Sequence, residues 1–170
     1  MKKALSKIFI CILAIVMCSL TCSAGLLAAD VTQGEADKNY IKFVPGQARM
    51  NSDGSFIFDL HYRLQSDDFI ANGTEITIQT ACVIQLYDGT GREYTDASEQ
   101  FIVTLYRAGF ISTAVGSYVG NADNIYGGRT FTNIKQGKKY YFVIEPVDPN
   151  FSLSPKYLKG YGRVSDVTVP

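Results

Sequence analysis

The sequence has no tryptophan and a single histidine, His61. Three of its four cysteines, Cys11, Cys18 and Cys22, lie in or beside the first apolar segment, which leaves Cys82 alone in the remainder. No stretch repeats its apolar residues at helical spacing, and there is no internal repeat or low-complexity tract. Each shortage removes a class of answer. One cysteine forms no internal disulfide, so stability must come from a packed core. One histidine leaves a zinc site short of ligands unless Cys82 or several carboxylates converge on it. A Ser–His–Asp arrangement would have to use His61 with Asp59 on its strand face, and no serine stands in a nucleophile motif. The formal net charge is zero and no basic run is present, which argues against nucleic acid or an anionic membrane surface as partner.

The chain opens with Lys2, Lys3 and Lys7, then an apolar run over Ile8–Leu20, then small residues at Ser23-Ala24-Gly25 and Ala28-Ala29. That order is a secretory signal peptide, residues 1–24, removed on export. The alternatives are a retained N-terminal anchor, or a lipid on Cys22, for which Ser19-Leu20-Thr21 is a poor leader. No stop-transfer cluster follows, so no membrane span is expected after cleavage. Three of the 16 basic residues leave with the signal, and the exported chain carries −3. Residues 25–38 are small, polar and acidic and read as a flexible arm. Residues 39–170 are long enough to bury a core of their own.

In that region the apolar residues alternate. Tyr40, Ile41, Phe43 and Val44 suggest a short strand stopped by Pro45-Gly46. Phe56, Phe58, Leu60, Tyr62 and Leu64 alternate with mostly polar neighbours, the signature of a half-buried antiparallel strand. Gln65–Thr74 reads as a loop. Ile76, Ile78, Thr80, Cys82, Ile84 and Leu86 line the core face of the next strand, and Asp88–Gly91 turns the chain. A helical turn is expected near Ala97-Ser98, then a strand over Phe101–Tyr106 and a short one over Ile111–Tyr118. Gly120–Gly128, rich in Asn, Asp and Gly, reads as a long surface loop. Short strands with turn signals between them predict an all-β antiparallel sandwich of about seven or eight strands.

The clearest local pattern is Arg129–Val147, RTFTNIKQGKKYYFVIEPV. Ile134 is followed by a turn containing Gly137, and Tyr140 opens a strand continued by Phe142 and Ile144 and ended by Pro146. This spacing resembles fibronectin type III and related immunoglobulin-like sandwiches. The resemblance implies that Tyr140 is a tyrosine corner, with its hydroxyl bonded to backbone a few residues upstream. The other reading of Tyr140 is an ordinary core aromatic. Gly160 to Val167 resembles the last strand of the same family, where a glycine pair precedes a valine-rich edge. The family's core tryptophan is absent, and Phe58 or Leu60 would fill its space.

No catalytic set, metal site or cofactor site is expected. Asn51, Asp53, Asp88, Asn121, Asp123 and Asn124 offer loop oxygens, but no calcium-loop order, and turn formation explains them. The pair Asp67-Asp68 and Asp148 read as solvated loop acids rather than the facing carboxyls of a glycosidase. Among the many tyrosines, Tyr118 and Tyr126, beside Asn121 and Asn124, are the expected binding residues if a binding surface exists. The expected function is a non-enzymatic module, secreted or cell-envelope associated and bacterial. It would bind a protein or a glycan at the cell surface through loops at one end of the sandwich. The alternatives are a carbohydrate-binding module with a row of exposed tyrosines on one sheet, and a small hydrolase using His61 or paired acids.

Overall fold

A computed structural model describes residues 47–170. The expected signal segment, the arm, the boundary at residue 39 and the strand over Tyr40–Val44 lie outside the described residues. Within them the chain is an all-β sandwich of two sheets without an α-helix. Its strands are β1 (Gln47–Ala48), β2 (Ser55–Leu60), β3 (Leu64–Ser66), β4 (Phe69–Ala71), β5 (Ile76–Leu86), β6 (Glu93–Tyr94), β7 (Asp96–Arg107), β8 (Thr113–Ala122), β9 (Gly127–Phe131), β10 (Lys139–Pro146), β11 (Lys156–Ser165) and β12 (Val167–Thr168).

The seven-stranded sheet is centred on β10. One edge of β10 pairs with β7, which pairs in turn with the edge strand β8. Its other edge is shared, with β3 pairing beside Ile144 and β4 beside Tyr140; β1 and β12 flank these. The gap between β3 and β4 would orphan a buried amide of β10. The Ser66 hydroxyl fills it, accepting from Phe142 N–H at 3.0 Å and donating to Asp67 C=O at 2.9 Å. This explains a buried serine in an apolar layer. The five-stranded sheet runs β2–β11–β5, with β6 and β9 sharing the outer edge of β5.

Alternation builds the core between the sheets. Phe56, Phe58 and Leu60 of β2, Ile76, Ile78, Cys82 and Ile84 of β5, Phe101, Val103 and Leu105 of β7, and Tyr140, Phe142 and Ile144 of β10 are all buried there. The ring of Phe56 lies 4.6 Å from that of Phe142, and Phe58 lies 6.3 Å from Phe101. These aromatics face glycines directly across the ladder: Phe58 opposite Gly160, Phe56 opposite Gly162, and Phe101 opposite Gly120. A Cβ at Gly160 would stand 2.3 Å from Phe58 Cζ, and one at Gly120 would stand 2.4 Å from Phe101 Cζ. The rings therefore occupy the space of missing side chains, a packing role that keeps each strand intact.

That packing accounts for most departures from the sequence reading. Gly120 lies inside β8, so the strand runs to Ala122 and the expected long loop shrinks to residues 123–126. Gly160 and Gly162 lie in the middle of β11, which is the centre of its sheet and not an edge. Gln65–Thr74 contributes two strands because Leu64, Ser66, Phe69 and Ala71 bury themselves against β10. Ala97-Ser98 belongs to β7 and not to a helical turn. Twelve strands replace the expected seven or eight because several lanes are split into short pieces.

At the corner after β9, Lys135 N–H donates to the Tyr140 hydroxyl at 2.8 Å while the Tyr140 ring is buried. Gly137 sits in the turn between them at φ 74°.

Candidate functional site

The strand read as continuous from Phe56 to Leu64 is broken at His61–Arg63, where the chain leaves one sheet and enters the other. Leu60 and Leu64 stay in the core on either side of the break. Tyr62, expected to face inward with them, is instead 72% exposed. Apolar alternation keeps its phase through the switch, so sequence alone shows no break there.

This corner forms one wall of a cleft of about 980 Å3 at the end of the sandwich. That is within the usual size range of ligand sites. The facing wall is the β5–β6 turn with Tyr87, Gly89 and Gly91, and Tyr157 at the start of β11 lies between the two. Backbone ties fix the walls: Tyr87 N–H donates to Pro155 C=O at 2.7 Å, and Leu86 N–H to Arg92 C=O at 2.9 Å. The aromatic groups touch one another. Tyr157 packs against the His61 ring at a tilt of 41° and a centroid distance of 4.8 Å, and meets Tyr87 edge-on at 5.2 Å. Tyr87 is 73% exposed, so much of its ring is available to a ligand.

The polar groups of the cleft are Asp59, His61, Arg63 and Gln85. His61 Nδ1 lies 2.9 Å from Lys156 C=O. A carbonyl only accepts, so Nδ1 carries a proton and donates it to Lys156 C=O. Desolvation pushes the Asp59 carboxyl above its ordinary value, partly offset by the Lys159 ammonium; nearby Glu93 adds to the rise. Lys159 itself is bonded to Glu93 at 2.7 Å. A second, smaller groove of about 260 Å3 lies on the other side of the same corner, against Glu145, Pro146 and Asp148.

Among the described residues no serine, threonine or cysteine lines the cleft. Cys82 is buried, and its thiol is pushed up to about 12 by desolvation and then by Asp123, which makes it a poor nucleophile. Among the described residues no three metal-ligating side chains converge. The loop acids close turns: Asp53, Asp88, Asp123 and Asp148 each accept from the backbone N–H two residues on, at 2.8–2.9 Å.

The four residues expected from sequence lie along the β8–β9 side, away from the cleft lining. Tyr118 is a strand residue whose hydroxyl meets Thr80 Oγ1 at 3.0 Å between the sheets, and desolvation pushes its phenol up to about 12. Asn121 Oδ1 accepts from Gln100 Nε2 at 3.1 Å. Asn124 takes a turn at φ 61° and donates its N–H to Cys82 C=O at 2.9 Å. Tyr126 is exposed and packs edge-on against Tyr161 at 5.2 Å. Nothing local in the sequence marks His61, Tyr87 and Tyr157 as neighbours. The signal that they meet is tertiary, since His61 and Lys156 are 95 residues apart.

No protein-family model matches the sequence, and no curated protein matches it. Among solved structures, the chain is similar to a surface-associated copper-binding protein important in copper acquisition in Methylomicrobium album BG8. The TM-score is 0.46 at 10% identity, covering 72% of this chain and 98% of that one. It is also similar to a family two carbohydrate esterase from Cellvibrio japonicus, with a TM-score of 0.34 at 12% identity, covering 75% of this chain and 32% of the esterase. At these scores the likeness bears on neither site nor ligand.

Proposed function

We propose that this protein is a non-enzymatic, exported binding module whose cleft takes a glycan. One observation carries the reading: Tyr62, Tyr87 and Tyr157 surround Asp59, His61, Arg63 and Gln85 in a single open cleft. Sugar rings have apolar C–H faces and hydroxyl edges. Tyrosine rings suit the faces, and carboxylate, amide and guanidinium groups suit the edges. Export rests on the basic and apolar first segment. The immunoglobulin- or fibronectin-like character rests on Tyr140 and its turn. Of the residues singled out in the sequence, Tyr126, packed on Tyr161, is kept as a secondary contact.

A protein ligand at the same end is the second reading. It is favoured by the exposed Val147 and Leu153, which lie in the segment following the smaller groove.

A glycan array probed with the folded chain tests the first reading. A glycan that binds should lose about tenfold or more in affinity on Tyr157→Ala and on Tyr87→Ala, with the far-ultraviolet spectrum unchanged. An empty array, or affinity indifferent to both substitutions, overturns it.

A further inference from the structure

At the opposite end of the sandwich, β7 and β8 are joined by Ala108–Ser112. This tip ends in two apolar side chains that none of the described residues covers: Phe110 is 106% exposed and Ile111 is 79% exposed. A globular domain gains nothing from an aromatic and a β-branched aliphatic side by side in water. On the strands that carry the tip, cations predominate. Arg107 closes β7, and Lys135, Lys138 and Lys139 stand on the adjoining β9–β10 turn, whose Lys139 C=O accepts from Ala108 N–H at 2.9 Å. From Gln100 to Ile144 the only acid is Asp123, at the far end of β8, against five cations, the four just named and Arg129. The acids that approach this end from other elements are Asp68, held on Lys139 at 4.0 Å, Glu75, Asp166 and Asp53, the last beside Arg163 at the start of β2. One row further from the tip, Tyr106 and Tyr141 pair across the ladder with stacked rings, 5.3 Å apart and 10° from parallel.

From this layering we infer that the β7–β8 tip is a lipid-inserting wedge that seats the domain on an anionic membrane surface. Phe110 and Ile111 enter the acyl boundary, Arg107 and the three lysines meet the headgroups, and Tyr106 and Tyr141 lie at the interface, where amphipathic rings are favoured. Area decides against a protein partner. Two side chains at a convex tip offer roughly 300–400 Å2. A stable protein interface buries about 800 Å2 per partner. A bilayer takes whatever the tip offers. Judging the chain by its net charge hid this, because the cations and acids are segregated along the molecule.

The absence of tryptophan supplies the test. Phe110→Trp in the full chain puts one indole at the tip, and Tyr87→Trp puts one at the cleft end as a control. Vesicles of phosphatidylglycerol and phosphatidylcholine should blue-shift the indole at 110, and brominated lipids should quench it, with no change at 87. Lys138→Gln in the Phe110→Trp background should weaken this partition about fivefold, and Ile111→Ser about tenfold. Because the reporter sits on the tip, attachment of the chain through residues 1–24 does not imitate the result. An indole at 110 that keeps its emission with vesicles overturns the inference. So does a shift shared equally by position 87, or one that grows with protein concentration in the absence of lipid.

Discussion

At one end of the sandwich, residues as distant in sequence as Asp59 and Tyr157 close round a cleft; at the other, five consecutive residues make a hairpin tip. The cleft is concave, lined by tyrosines and polar groups, and several side chains there have partners. Arg63 lies 3.9 Å from Glu145, and Lys156 and Glu99 are 2.7 Å apart. The tip is convex, apolar, and surrounded by cations. Acids gather toward the cleft end, at Asp88, Glu93, Asp96, Glu99, Glu145 and Asp148, and are scarce on the strands that support the tip. A concave site depends on distant strands keeping their register, whereas a tip depends on its own hairpin. Damage to the sheet should therefore reach the cleft first.

Gly160→Ala is the strongest way to break that comparison. The new Cβ meets Phe58 Cζ at 2.3 Å and Ala81 C=O at 2.7 Å, so ring and backbone must both move. Overpacking of this kind costs about 3 kcal/mol, measurable by urea denaturation. β11 also carries Tyr157 into the cleft, so amide exchange should rise at residues 61–63 and 86–92 before it rises at 108–112. Phe58→Leu in the same chain should recover part of the loss, because it removes the ring contact and leaves the carbonyl contact. Unchanged stability would mean that the ring is not filling the glycine's space.

The same contrast explains what was legible in the sequence. The core faces of β2, β5 and β10 follow from period-two alternation, since Phe56, Phe58 and Leu60, Ile76 to Ile84, and Tyr140 to Ile144 each keep one phase. β8 was half hidden because Gly120 reads as a loop former, and only the ring of Phe101 across from it shows why glycine stands in a strand. The break at His61–Arg63 left no mark, because Leu64 has the same parity whichever sheet it joins. The cleft was out of reach for a further reason. Its walls meet through tertiary pairing, and nothing local separates Tyr87 and Tyr157 from Tyr118, which turned out to lie between the sheets. Phe110 drew no notice either, since an apolar residue in a short strand pattern is indistinguishable from one beyond its end.

Tyr140→Phe probes the tip end at the scale of one hydrogen bond. It removes the acceptor of Lys135 N–H beneath the β9–β10 turn while keeping the buried ring. The expected loss is about 1 kcal/mol, again read by urea denaturation. Faster amide exchange should be confined to residues 134–139. Propagation to residues 61–63 would show that the two ends are coupled more tightly than their construction suggests.

Asp59→Asn should have the smallest effect on stability and the most informative sign. The carboxylate stays solvent-exposed on the outer face of β2, yet desolvation raises its pKa, so the folded state holds its proton more tightly than the unfolded chain does. For a raised carboxyl, the favourable contribution is present at pH below the unfolded value, 3.8, and is lost as pH rises through the folded value. Wild-type Asp59 is thus a mild liability at neutral pH. Removing its charge should leave the melting temperature equal or slightly higher at pH 7, by no more than about 0.5 kcal/mol, with the difference vanishing near pH 3. Any glycan held by the cleft should bind Asp59→Asn more weakly at pH 7, and wild-type binding should decline on acidification through a pKa somewhat above that of an ordinary aspartate. A lower melting temperature for Asp59→Asn at pH 7 would instead make Asp59 a stabilising partner of Lys159, and would remove it from the binding surface.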